Sequence, residues 1–322
     1  MASRRALVTG GAGFVGSHLC EHLAENGWAV TVVDDLSTGS RENLVSLSDN
    51  PDFRLEVGRA GDRDLVERLA DRADVIFHLA AVVGVRKVME DTVETIEKNL
   101  HTTEVVLKAA ARRKVPFLIT STSEVYGSNR KEAFREDDES VIGNSRHRRW
   151  CYAAGKLLDE FHAYAYHHSH GLPVVITRLF NTIGPRQVGH YGMVVPTFVG
   201  QALRGEAITV HGDGSQRRCF AYVKDTVKCL AALVDSEPAR GEVFNVGSDT
   251  EITIMDLAKK VKELTGSDSE IVTRSYSEVY GEDFVDMERR LPDVSKLRGA
   301  IGFAPETPLE EILWAVIASE RS

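Results

Sequence analysis

Tyr152 and Lys156 stand four residues apart in a stretch, Tyr152 to His168, whose apolar periodicity predicts a helix. Both side chains therefore leave one helix face and converge on one point. A free phenol ionises near pH ~10, and lowering that value by about 3 units takes roughly 4 kcal/mol of differential stabilisation. Adjacent positive charge, the Lys156 ammonium first, is the expected source. Tyr152 then serves as a general base with Lys156 as its partner. The spacing alone is common in helices. It gains meaning from Thr122-Ser123-Glu124 at the end of a predicted strand, where Thr122 is placed to hydrogen-bond a hydroxyl undergoing oxidation.

A cofactor that accepts hydride needs its own cradle, and the chain supplies one near its start. A predicted strand at Ala6 to Val8 runs into Thr9-Gly10-Gly11-Ala12-Gly13-Phe14-Val15-Gly16, and a helix is predicted from Ser17 to Asn26. Gly10, Gly13 and Gly16, with Phe14 and Val15 between them, let the backbone approach a diphosphate whose charge the helix N-terminus stabilises. The second strand, Ala29 to Val33, ends at Asp34, which is spaced to accept hydrogen bonds from an adenosine ribose and to repel a 2'-phosphate. The cofactor is therefore expected to be NAD. Asp35 ranks behind Asp34, sharing its role or capping a turn. Asp62 and Arg63, after the third strand, are candidates for the adenine or for a solvated turn.

Further strands are predicted at Val75 to Leu79, Phe117 to Thr120 and Val174 to Thr177, with helices at Asp64 to Ala70 and Thr102 to Arg113. Short β-rich runs alternating with helices predict an α/β fold, a Rossmann-type doubly wound parallel sheet with a smaller α/β substrate domain. Residues 1–180 form the expected NAD-binding domain, to which 219–247 return. Residues 181–218 and 248–322 form the substrate domain over the carboxyl edge of the sheet. Helices are expected there near Phe198 to Arg204, Ile254 to Leu264 and from Leu309. The acidic run from Glu132 to Glu139 reads as a surface loop.

The 322 residues carry a formal net charge of -9, which argues against a nucleic-acid partner. Cys20, Cys151, Cys219 and Cys229 form no CxxC pair, so free thiols and a cytoplasmic location are expected. The basic start is followed by too short an apolar run for a signal peptide, and no stretch approaches the roughly 18 apolar residues of a membrane span. His162, His167, His168 and His170 crowd one helix end without a completing ligand, so no metal is expected.

Taken together, the glycine loop, His78-Leu79-Ala80-Ala81, Asn99, Thr122-Ser123-Glu124-Val125-Tyr126-Gly127, Tyr152 to Lys156 and Arg178-Leu179-Phe180-Asn181 resemble extended short-chain dehydrogenase/reductases that act on nucleotide sugars. The resemblance spans nearly the whole chain. It implies that Leu79, Ala80, Ala81 and Asn99 contact the cofactor and that Asn181 contacts the substrate diphosphate. It places Val195 to Thr197 and Thr209 to His211 near uracil, and gives Arg218 and Arg290 to phosphates or ribose. Arginines suit that task, since their fork binds such oxygens bidentately. Val85 and Arg186 complete the substrate set.

Relatives with this pattern oxidise C4 of the sugar to a ketone. Those that dehydrate resemble Thr-Asp-Glu where this chain has Ser123, a poor acid for expelling a hydroxyl, so dehydration is disfavoured. Two outcomes remain open. The ketone receives hydride on its other face, which makes the enzyme a 4-epimerase of a UDP-sugar, UDP-glucuronate to UDP-galacturonate. Alternatively a C6 carboxylate leaves as carbon dioxide. Arg149-Trp150, Glu124 and Asp286-Met287-Glu288-Arg289-Arg290-Leu291-Pro292 resemble UDP-glucuronate decarboxylases, whereas Gly184-Pro185-Arg186-Gln187 through Pro196 is more similar to epimerases, which ranks epimerisation first. Ser123, Arg186 and His190 are the candidate contacts to a uronate carboxylate. A homodimer built on the helices at Thr102 to Arg113 and Tyr152 to His168 is expected from similar enzymes.

Overall fold

Strand β1 (Arg5–Thr9) is buried along all but its first residue, and β4 (Val75–His78) along its whole length, so both read as unbroken apolar runs. Around them the first half of the chain alternates strand and helix: α1 (Phe14–Glu25), β2 (Ala29–Asp34), β3 (Phe53–Val57), α2 (Arg63–Ala70), α3 (Thr92–Arg113), β5 (Phe117–Thr122), α4 (Trp150–His170) and β6 (Val174–Leu179). The second half adds β7 (Thr182–Ile183), α5 (Val194–Leu203), β8 (Ile208–His211), β9 (Arg217–Cys219), β10 (Ala221–Tyr222), α6 (Val223–Asp235) and β11 (Glu242–Val246). It closes with β12 (Glu251–Thr253), α7 (Ile254–Thr265), β13 (Ile271–Arg274), α8 (Tyr276–Tyr280), β14 (Arg289–Arg290), α9 (Ser295–Ile301) and α10 (Leu309–Arg321). This computed structural model describes residues 3–82, 91–148, 150–189, 192–280, 287 and 289–321. Val85, Arg149 and His190 lie outside the described residues.

The main sheet has seven strands in the order β11-β6-β5-β4-β1-β2-β3, and every pairing in it is parallel. One face packs Val8, Leu19, Leu23, Val32 and Phe77 with Leu230 and Leu233 of α6. The other packs Leu7, Ile76, Val106, Phe117 and Ile176. A second lobe has its own core of Phe198, Val199, Ile208, Val210, Leu257, Val261, Ile312 and Leu313. Its strands are short: β8 pairs β13, β9 lies between β12 and β14, and β7 pairs β10.

Three features differ from the sequence reading. Helix α3 starts ten residues before Thr102, capped by Asp91, whose carboxylate accepts from Glu94 N at 3.1 Å. Its inward face there carries Thr95, Asn99 and Thr103, so hydrophobic periodicity is silent. Residues 248–322 do not all belong to the second lobe, because Val294, Leu297 and Ala304 join the core of the first and α9 packs on β11 and α6. The acidic run does lie at the surface, with Glu132, Arg135, Asp137 and Glu139 exposed, but it is also anchored. Phe134 is buried with its ring stacked 4.6 Å from Tyr126, and Glu136 Oε1 accepts from Asn245 N at 2.8 Å.

Candidate functional site

The carboxyl ends of β1, β2, β4 and β5 open into one cavity of about 750 Å³. Gly10, Gly13, Phe14, Val15 and Gly16 form one wall, and no side chain larger than hydrogen fits at two of these positions. A Cβ on Gly16 would lie 2.1 Å from Gly10 O, and one on Gly10, at φ 73°, would lie 2.7 Å from Ala80 N. Such a loop brings bare backbone to a ligand, and that ligand meets the N-terminal end of α1. Asp34 lines the cavity where β2 ends; its oxygens accept from Ala12 N and Leu36 N, each at 2.9 Å. Burial raises the Asp34 carboxyl, while the two amides pull it down. The residues therefore fit NAD: a bare-backbone cradle for the diphosphate and an oriented carboxylate for the ribose.

Leu79, Ala80, Ala81 and Asn99 line the same cavity. Asn99 pins the loop after β4, accepting from Val82 N at 2.7 Å and donating to Val82 O at 3.2 Å. Asp62 lines the cavity while its side chain caps α2. Arg63 does not line it; its guanidinium faces outward along α2 to Glu67 at 2.9 Å, and Arg59 and Gly61 occupy the rim instead.

At the other end of the cavity stand Thr122, Tyr152 and Lys156. Helix α4 carries the last two on one face, as their spacing demands. Lys156 Nζ donates to Thr120 O at 3.0 Å and pairs with Asp159 at 3.4 Å, both groups being buried. The phenol departs from the sequence expectation. Burial raises the Tyr152 pKa, and the charges of Glu124 and Asp159 raise it further. The protein alone thus opposes ionisation, chiefly through burial and then through the carboxylates of Glu124 and Asp159. Behind this end, Arg178 grips Glu160 at 2.7 Å and lies 4.8 Å over the Tyr126 ring, which ties α4 to β6. His78 is clamped between Thr9 at 2.7 Å and Thr103 at 3.2 Å, and burial lowers its pKa to about 3, so it is neutral.

The remaining described candidates, apart from Arg186, do not line this cavity. Ser123 is fully buried, and its Oγ has no hydrogen-bond partner among the described residues. Next to it, Glu124 pairs with Arg290 at 3.6 Å, and Arg290 Nε is likewise buried without a hydrogen-bond partner there. Arg290 is in register with Arg218, whose guanidinium donates to Met287 O at 2.6 Å. Asn181 Nδ2 donates to Cys219 O at 2.9 Å. Thr209 and His211 lie on β8, and burial lowers the His211 pKa. Val195 is wholly in the core of the second lobe. Arg186 is the exception: it lines the cofactor cavity and bonds to α1.

Asp159, Gln187, Val188 and Met193 were not singled out from the sequence. Asp159 had a signal, an acidic residue three positions after Lys156 on one helix face. The others lie in the stretch from Gly184 to Pro196, whose similarity to epimerases was the signal there, though none of the three was given a role.

The chain is 40% identical over 310 residues to a UDP-N-acetyl-alpha-D-glucosaminuronate decarboxylase of Bacillus cytotoxicus, covering 96% of this chain and 95% of that one. It is 38% identical to UDP-glucuronic acid decarboxylase 1 of Danio rerio, over 96% of this chain and 70% of the other. Among solved structures, the UDP-glucuronic acid 4-epimerase of Bacillus cereus, in complex with UDP-glucuronic acid and NAD, superposes with a TM-score of 0.88. It is 28% identical, with 98% of this chain and 99% of that one covered. The sequence model of one family matches residues 6–247, through the glycine loop, the Tyr152 helix and the returning strand β11, and the chain belongs to that family, the NAD-dependent epimerases and dehydratases.

Proposed function

We propose that the enzyme is an NAD-dependent decarboxylase of a UDP-linked hexuronate. The observation that carries the reading is the pairing of Glu124 with Arg290, beside two buried polar atoms, Ser123 Oγ and Arg290 Nε, that lack partners among the described residues. Buried polar groups without partners are costly, and a ligand carboxylate is what such groups would satisfy. The relatives from Bacillus cytotoxicus and Danio rerio are both decarboxylases of UDP-linked uronates. The outcome ranked second from the sequence is therefore the better supported, and epimerisation moves to second place.

In this reading Thr122 orients the C4 hydroxyl and Tyr152 takes its proton. Bound NAD supplies the hydride acceptor for that carbon and, once reduced, the donor that returns it. A carboxylate β to the resulting ketone leaves as carbon dioxide, its bonding electrons passing into the C4 carbonyl as an enolate that is then protonated at C5. Arg290 holds the carboxylate before it leaves, and Glu124 keeps Arg290 in place. Arg218 and Asn181 bind the UDP diphosphate.

The test is incubation with NAD and either UDP-glucuronate or its 2-acetamido analogue, followed by proton NMR. A UDP-pentose or 4-keto-pentose with release of carbon dioxide is expected. Formation of UDP-galacturonate from UDP-glucuronate overturns the reading in favour of epimerisation. Two copies are proposed to pair through α3 and α4, which leave Val93, Ile96, Leu100, Leu158 and Phe161 exposed as apolar rows.

A further inference from the structure

The loop after β7 crosses from the second lobe to the first and lies against α1. His18 Nε2 donates to Pro185 O at 3.1 Å. Arg186, next in the chain, has φ 69°, a left-handed conformation that is strained for a non-glycine residue and persists only where its surroundings hold it. They do so here: Arg186 Nη1 donates to Ser17 Oγ at 3.2 Å and Nη2 to Glu21 at 2.6 Å. Ser46 also donates to Glu21, and although burial raises the Glu21 carboxyl, the bonds from Arg186 and Ser46 leave it below its ordinary range.

The cavity wall explains what this cation is for. The segment Thr9 to Ser17 contains no lysine or arginine, although it is the part of the chain that meets the cofactor's two phosphate charges. Among the described cations lining the cavity, Arg59 and Lys98 are within electrostatic reach of Asp35, and Lys156 belongs to the Tyr152 end. Arg186 is the one that bonds to Ser17, directly after Gly16. Two of its five N–H donors serve α1, which leaves a rigid fork suited to phosphate oxygens. The groups expected to take the substrate, Arg218, Arg290 and Asn181, do not line this wall.

We propose that Arg186 is a cofactor-binding residue: its guanidinium closes on the NAD diphosphate from the second lobe, with Ser17 and Glu21 as positioning residues. This reassigns it from the sugar carboxylate expected in the sequence. It also gives the enzyme a means of keeping reduced cofactor in place between two hydride transfers, which rests on the proposed reaction.

The experiment measures NADH affinity by fluorescence and bound NAD(H) after gel filtration, alongside UDP affinity by calorimetry. The proteins are the parent, Arg186→Gln, which keeps bulk without charge, and Arg186→Lys. Expected are an NADH Kd raised tenfold or more in Arg186→Gln, partial recovery in Arg186→Lys, and a UDP Kd within twofold of the parent. An NADH Kd within twofold of the parent in folded Arg186→Gln overturns the assignment, as does loss of UDP-uronate affinity with NADH affinity kept. Because NADH binding is read without any sugar, this outcome is independent of which reaction follows ketone formation.

Discussion

Asp159 is the residue that most changes the account of Tyr152. It sits 3.4 Å from Lys156 with little solvent, so the cation that the sequence assigns to the phenol is shared with a carboxylate. After burial, the charges of Glu124 and Asp159 are what hold the Tyr152 pKa up, and neutralising one of them lowers it. Turnover that needs the phenolate rises with pH through that pKa. Asp159→Asn is accordingly expected to shift the acid limb of the kcat/KM profile to lower pH, and an unmoved limb would remove Asp159 from the base's electrostatics. Tyr152, Lys156 and Thr122 were legible because one helix face and one strand end bring them together by local geometry. The link of Arg186 to α1 was not legible, because its partners, Ser17 and Glu21, are about 170 positions away and no local spacing connects them.

The turn from β1 into α1 illustrates how much an element can be read before it is seen. Its glycines announce close backbone approach, and Gly16 is packed so that one methyl group would drive into Gly10 O. Gly16→Ala is expected to cost about 1–3 kcal/mol, the usual range for overpacking, and to weaken NAD binding. Thermal melting with and without NAD checks it; an unchanged melting temperature together with unchanged NAD affinity would contradict that packing. The parallel sheet was legible for a similar reason, since β1, β2, β4, β5 and β6 are short apolar runs bounded by turns. Helix α3 was only half legible, because the polar Thr95, Asn99 and Thr103 occupy its buried face and break the apolar periodicity. Strand β14, two residues long, carries Arg290 by pairing with β9 and leaves no pattern of its own.

At the scale of the molecule, the exposed rows on α3 and α4 make the proposed pairing of two copies measurable. Phe161 is 63% exposed and Ile96 44%, on helices that pack on one another. Sedimentation is expected to show a dimer for the parent and a monomer for the double variant Ile96→Glu, Phe161→Glu; a monomeric parent removes the proposal. Among the described residues no helix is long and apolar enough to cross a membrane. The two lobes are not successive in the chain. After β6 it enters the second lobe, returns as α6 and β11, leaves again for α7, returns with α9 and ends in α10. A single recombination point in the gene would therefore never carry one lobe intact. New sugar preferences in such a chain have to arise by point changes, or by exchanging several short segments at once.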